Sequence, residues 1–249
     1  MKHAHNIIHL LIEKDLEFFE TLFPKLINIQ KLELRGCTWT CLNLDKELDF
    51  VYSYLQVLNI SNTSYCNAIE IIQKTTGSIQ KIWTDSMHYN PFNNSGNFIL
   101  KISQHCPNLK YIKIALKDQY LDKLELLLTA CKLLEGLHIY KDLNNKDHPY
   151  KFSDKLLITL VKFAPMSLYK IGISYCNFKI SILDWFFNNW KGRKTLCLYS
   201  ILDRNYQDCF YNLNYISELK TLIEKYINEG VIKKFHYGDF DDEDFRWCF

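Results

Sequence analysis

Long apolar runs are missing from this chain: its densest aliphatic stretch, LLITLV at 156–161, is broken by Thr159. A membrane-spanning helix needs about 20 apolar residues in succession, so no membrane is expected as a partner. A one-sided charge is missing too. Thirty basic residues against 28 acidic ones leave a formal charge of +2, far from the imbalance that marks nucleic-acid binders. The opening MKHAHNIIHLLIEKDLEFF has one lysine, and a histidine interrupts its apolar run, so it lacks the form of a secretory signal. Without such a signal, nine cysteines, an odd count, are expected as reduced thiols in the cytoplasm or nucleus and not as a disulfide frame.

Catalytic and ligand motifs are equally scarce. G-x-S-x-G, H-E-x-x-H and G-x-G-x-x-G do not occur. Cys37 and Cys41 are four apart but have no second Cys or His pair at finger spacing, so zinc is not expected. His5 and His9 could share a helix face, yet a frayed first turn explains them better. KGRKT at 191–195 lacks the leading glycine of a phosphate loop and is expected as a turn. GDFDDED at 238–244 lacks the glycine and distal glutamate of a calcium loop, which makes 238–249 an expected acidic cap. The expectation is a chain that is not an enzyme and carries no cofactor.

What is present is a folded composition, 48% hydrophobic and 15% aromatic over 249 residues, and a repeat. The pattern L-x-x-L-x-L recurs as IQKLEL from Ile29, LQVLNI from Leu55, IQKIWT from Ile79, LKYIKI from Leu109, LEGLHI from Leu134 and LYKIGI from Leu168. Two weaker copies, RKTLCL from Arg193 and IKKFHY from Ile232, bring the number to about eight. Their starts are separated by 26, 24, 30, 25, 34, 25 and 39 residues. Between copies the apolar period becomes helical, as at Leu121, Leu124, Leu128 and Cys131, at Ile216, Leu219, Ile223 and Ile227, and at Leu44, Leu48, Val51 and Leu55. Gly77, Pro107 and Gly230 stand where helix must give way to strand.

Strands joined by crossover helices run parallel, and stacked units of this length bury a continuous core that one unit cannot bury alone. The pattern resembles a leucine-rich-repeat horseshoe, an α/β solenoid with its parallel sheet on the concave side and its helices on the convex side. It is similar to the cysteine-containing variety, since Cys106 and Cys131 precede their strands by the same interval and Cys37 and Cys176 follow theirs. One domain over 1–249 is expected, with residues 1–25 forming the helix of the first repeat and its cap.

In L-x-x-L-x-L the fourth and sixth places face the core, so the third, fifth and seventh face the open side of the sheet. The third-place row is expected as Lys31, Val57, Lys81, Tyr111, Gly136, Lys170, Thr195 and Lys234. The fifth is Glu33, Asn59, Trp83, Lys113, His138, Gly172, Cys197 and His236, and the seventh includes Asp85, Ala115, Tyr140 and Tyr199. Trp83, Asp85, Tyr111, Lys113, His138 and Tyr140 therefore form the expected partner-binding patch, aromatic and mixed in charge as protein hot spots are. Insertions after three strands, from Met87, Lys141 and Leu202, would extend one rim of that face.

The strings LFPKLINIQKLELRGCTW, LQVLNISNT, IIQKTTGSIQKI, CPNLKYIKIA and IEKYINEGVIKKF resemble the leucine-rich-repeat portion of fungal F-box proteins, over nearly the whole chain. The resemblance implies recruitment of a protein substrate to the concave face, for ubiquitination through the adaptor of a cullin-RING ligase. Residues 1–25 lack the Leu-Pro opening of an F-box. Two expectations stand side by side: the recognition half of a longer receptor, or a free-standing repeat scaffold outside the ubiquitin system.

Overall fold

The computed structural model describes residues 3–13, 19–37, 50–85, 94–141, 149–201 and 213–237. Nine strands form one sheet: β1 (His9–Glu13), β2 (Lys31–Arg35), β3 (Val57–Ser61), β4 (Lys81–Asp85), β5 (Tyr111–Leu116), β6 (Gly136–Lys141), β7 (Lys170–Ser174), β8 (Leu196–Ile201) and β9 (Ile232–Tyr237). The order along the sheet is the order along the chain, and each neighbouring pair is parallel. The helices are α1 (Phe19–Leu22), α2 (Tyr65–Gln73), α3 (Ser95–His105), α4 (Leu121–Ala130), α5 (Pro149–Phe163), α6 (Ile180–Trp190) and α7 (Leu213–Asn228). From α2 to α7 each helix packs against the next. A sheet that never reverses order, backed by helices in one continuous file, is a solenoid-like α/β fold. A doubly wound sheet would need an order reversal and helices on both faces.

The core lies between that file and the even places of the strands. Leu32, Leu58, Ile82, Ile112, Leu137, Ile171 and Leu198 stand in register across seven strands, all but sealed from solvent. Ile29, Leu55, Ile79, Leu109, Leu134 and Leu168, which open the six clear repeats, are each 0% exposed. The cysteines singled out by their spacing are part of this packing. The Cys131 thiol donates to the Cys106 carbonyl at 3.4 Å, and the Cys37 amide donates to Thr63 Oγ1 at 3.2 Å. Burial pushes the Cys131 thiol up to about 12 and raises Cys106 as well, so both stay protonated.

Turns repeat as faithfully as strands. In four repeats the polar residue before the first aliphatic bonds back to the preceding unit: Asn28 Nδ2 to His5 O at 2.9 Å, Ser78 Oγ to Leu55 O at 2.8 Å, Asn108 Nδ2 to Gly77 O at 3.0 Å and Ser167 Oγ to Leu134 O at 2.8 Å. Gly230 (φ +72°) makes the left-handed exit from α7, and Gly77 (φ +83°) turns the chain between α2 and β4. KGRKT is a turn, as expected. Arg193 reaches back from it to the last carbonyls of α5, at 3.0 Å from Val161 O and 2.9 Å from Ala164 O.

Four expectations need correction. The stretch expected as the first helix holds a strand at its centre, because Ile7, Leu10 and Ile12 carry the repeat's own spacing, 22 residues before Ile29. Among the described residues the sheet therefore has nine strands and not eight. In the seventh copy the register shifts by two: Lys170 pairs with Cys197 and Gly172 with Tyr199, while an irregularity between Leu196 and Cys197 absorbs one residue. Leu196 then fills the first apolar place opposite Ile232, and Ser200 takes the sixth. On α7 the buried stripe is Leu219, Leu222, Ile223 and Tyr226, whereas Ile216 and Ile227 are 40% and 45% exposed. Finally, Val51, expected in a helix before β3, is non-helical and 44% exposed. Leu55 is likewise non-helical, while Leu44, Leu48, Cys41, most of the three insertions and the 238–249 cap lie outside the described residues.

Candidate recognition face

The side of the sheet away from the helices is built by the odd places of the strands. Parallel pairing holds them in rows about 4.8 Å apart. The fifth-place row runs Leu11, Glu33, Asn59, Trp83, Lys113, His138, Gly172, Tyr199 and His236. The third-place row runs His9, Lys31, Val57, Lys81, Tyr111, Gly136, Lys170, Cys197 and Lys234.

Four of the six residues of the expected patch, Trp83, Tyr111, Lys113 and His138, come together on β4, β5 and β6, as a packed surface. Lys113 lays its ammonium 4.6 Å from the centre of the Trp83 ring. His138 sits next in the row with Nε2 2.8 Å from Ser174 Oγ. Lys113 is only 6% exposed and His138 2%. The physical reason is spacing: rows closer than the width of an aromatic ring make large side chains cover their neighbours. Burial, joined by the charge of Lys113, pushes the His138 imidazole well below its ordinary range and leaves it neutral. Tyr111 is half-buried. Its hydroxyl donates to Glu135 Oε2 at 2.6 Å, and burial together with that carboxylate pushes its pKa above the ordinary phenol value, so it stays protonated. Lys81 stands 5.6 Å from the Tyr111 ring centre.

Tyr140 departs from the outward reading. The register between β4 and β5 ends at Trp83↔Lys113, and Thr84 Oγ1 instead donates to Lys113 O at 2.8 Å. The Tyr140 hydroxyl lies 3.3 Å from that same Thr84 oxygen, to which the buried Tyr65 hydroxyl donates at 3.4 Å. Its polar end thus faces core-side groups. Asp85 closes β4, and its side chain is outside the described residues.

Sequence reasoning missed Tyr199 at this site. With the corrected register it occupies the fifth row, 4% exposed, with Trp83, Tyr111 and Cys197 packed against it. Lys170 and Lys234 stand 5.6 and 5.2 Å from its ring centre. The alternation Leu196, Leu198 in LCLYSI marks Tyr199 as facing the open side but fits two registers, and only the pairing of Gly172 with Tyr199 decides its row. At the other end of the face Glu33 is a hub. Lys31 Nζ, His9 Nε2 and Arg35 Nη2 lie 3.0, 2.9 and 3.1 Å from its oxygens, and Asn59 Nδ2 donates to it at 3.3 Å. Burial alone would raise the Glu33 carboxyl, but the bonds from Lys31, His9 and Arg35 outweigh it and hold the group at about 2.

Among the described residues no cluster of His, Cys, Asp and Glu is arranged to hold a metal ion, and no helix is long and apolar enough to cross a membrane. No family model matches the chain, and no curated protein matches it.

Proposed function

We propose that the chain is a leucine-rich-repeat horseshoe whose concave sheet face recognises another protein, and that it recruits that protein for ubiquitination in the manner of an F-box receptor's repeats. The repeat spacing, the unreversed parallel sheet and the single file of helices support the architecture. The observation that carries the recognition reading is the line of Trp83, Tyr111 and Tyr199 with lysines stacked on their rings, on the side of the sheet opposite the helices. Aromatic anchors of this kind dominate protein interfaces. In this reading the face works by complementarity alone, with no bond made or broken.

A second reading has its own observation. Residues 9–13 and 31–35 are paired strands of the sheet, so the described N-terminal residues supply a repeat and not an adaptor-binding helical unit. A repeat array of this kind equally suits a scaffold outside the ubiquitin system. Affinity capture with the full chain, followed by mass spectrometry, separates the two. Recovery of a cullin-RING ligase adaptor supports the receptor, and its absence alongside other specific partners supports the scaffold. Within either reading, Trp83→Ala and Tyr111→Ala are each expected to weaken capture by about 1 to 3 kcal/mol while thermal unfolding stays cooperative. Undiminished capture by both variants would reject this face as the recognition surface.

A further inference from the structure

The turns on the leading rim of the sheet, where the chain enters each strand, follow a rule with two exceptions. In the units of β2, β4, β5 and β7 the residue before the first aliphatic is Asn28, Ser78, Asn108 or Ser167, and each bonds back to a carbonyl of the preceding unit. In the units of β3 and β6 that place is held by Tyr54 and Leu133. Leucine has no group to make the bond, and the two side chains are turned out, 57% and 47% exposed. The core is filled without them, by Leu55 and Leu134 at the next positions, each 0% exposed. A repeat that keeps its burial but departs from its own turn chemistry at two places marks those places for something other than folding.

Tyr54 and Leu133 line the two ends of one shallow depression of about 340 Å³. Between them lie Gln56, Gln80 and Lys110, the second places of three successive units. The backbone there is already tied: the amides of Gln80, Lys110 and Glu135 donate to the carbonyls of Gln56, Gln80 and Lys110, each at 2.8 Å. Main-chain bonds thus fix the spacing of the rim and leave its side chains to meet a ligand. Each glutamine carboxamide offers a donor and an acceptor, the same pair that a peptide group presents. Among the described residues lining the depression there is no carboxylate and one cation, Lys110. A highly charged segment would shed its hydration here for a single partner, whereas an uncharged one gives up little.

The separation of the two apolar residues sets the form of the ligand. From β3 to β6 are three strand spacings, about 14 Å. Four residues of extended chain cover about 13 Å, and side chains an even number of residues apart point the same way. A helix covers the same four residues in about 6 Å and would meet one of the pair only. Going beyond the concave-face reading, we propose that the leading rim between β3 and β6 docks an extended, uncharged segment of a partner protein. Two apolar side chains four residues apart in that segment rest on Tyr54 and Leu133, and its main-chain amides pair with the carboxamides of Gln56 and Gln80.

The test uses the full chain and the capped heptapeptide SLSNSLS, carrying an uncharged fluorophore and read by fluorescence anisotropy. Its isomer SLSNLSS, whose leucines lie three residues apart and so on opposite sides of the extended chain, is the control. SLSNSLS is expected to bind about tenfold more tightly than SLSNLSS, the contribution of one apolar anchor. Tyr54→Ser and Leu133→Ser bring these turns into line with those of Ser78 and Ser167, so both variants are expected to fold, and each should weaken SLSNSLS binding about tenfold. Equal behaviour of the two peptides on the parent chain, absence of binding included, overturns the proposal, as does unchanged binding by both variants. Self-association of the parent chain in analytical ultracentrifugation, lost in both variants, would also overturn it by making a second copy the occupant. Trp83→Ala separates this surface from the concave one: retained SLSNSLS binding is expected, and its loss would move the peptide to the concave face. Failure on the rim leaves the concave-face reading standing, because that reading is decided by partner capture with Trp83→Ala and Tyr111→Ala.

Discussion

Replacing Ile112 with alanine tests the stacked core directly. The side chain is 0% exposed and lies in register between Ile82 and Leu137, which are themselves buried. Behind it α3 packs on β5, presenting Phe98, Ile99 and Ile102 to the core. The substitution removes three carbon groups, a transfer loss of about 2.4 kcal/mol at about 0.8 per group. Ladders on both sides hold the neighbouring strands, so the void closes poorly and raises the total to about 3 to 4 kcal/mol. Urea unfolding followed by tryptophan fluorescence measures it, with Lys110→Ala, half-buried just outside the ladder, expected within about 0.5 kcal/mol of the parent. A drop in midpoint with unchanged slope is the expected signature. A loss below about 0.5 kcal/mol would refute the register, since it would mean that Ile112 faces solvent. A reduced slope would instead show the stack coming apart in stages, as nearest-neighbour repeats can.

The polar groups of the open face give two further expectations. His138 is held neutral in the fold, whereas in the unfolded chain it takes a proton near its ordinary value of about 6.5. Below that pH the unfolded state binds more protons, so stability should fall with pH, by up to about 1.4 kcal/mol per unit for this group. His105, lowered by burial and by Lys101, acts in the same direction, so the measurement is the difference between parent and His138→Gln between pH 7 and about 5.5. Equal slopes would show that His138 is not buried as described. Glu33→Gln should cost about 1 to 2 kcal/mol at neutral pH, less than the full shift implies because half-exposed His9 and Arg35 are screened by solvent. The parent's advantage should disappear as pH falls from 4.5 towards about 2, where the folded carboxylate takes up its proton. Persistence of the advantage below that window would mean that the Glu33 hub is not ionic.

Eight of the nine strands were legible because six of their units repeat an aliphatic spacing without interruption and two repeat it with one substitution. The first strand was not. IIHLLI at 7–12 satisfies strand and helix periods equally over so few residues, and only pairing with Lys31–Arg35 decides between them. The seventh copy was legible as a strand but not in its register, since RKTLCL offers Leu196 and Leu198 to two alignments that differ by two places. That ambiguity moved Tyr199 from the fifth row to the seventh and hid it from the site. Trp83, Tyr111, Lys113 and His138 were placed correctly on the open face. Their burial was not foreseen, because it comes from side chains on adjacent strands whose sizes meet only after pairing.

The sequence by itself determined the unit: which residues form a strand, which of its places are aliphatic, and where a glycine or proline stops the helix before it. Those are properties of short stretches, set by local period and backbone freedom, and they recur because each unit solves the same burial problem. Tertiary structure alone decided how units sit beside one another. Register fixes which lysine covers which ring, whether Tyr140 faces outward or meets Thr84, and why Glu33 collects Lys31, Arg35 and His9 while Lys170 and Lys234 flank one tyrosine. Apart from the two contacts Glu33 makes within its own strand, these join residues 20 or more positions apart, and their energies depend on distances of a few ångströms that no single repeat contains.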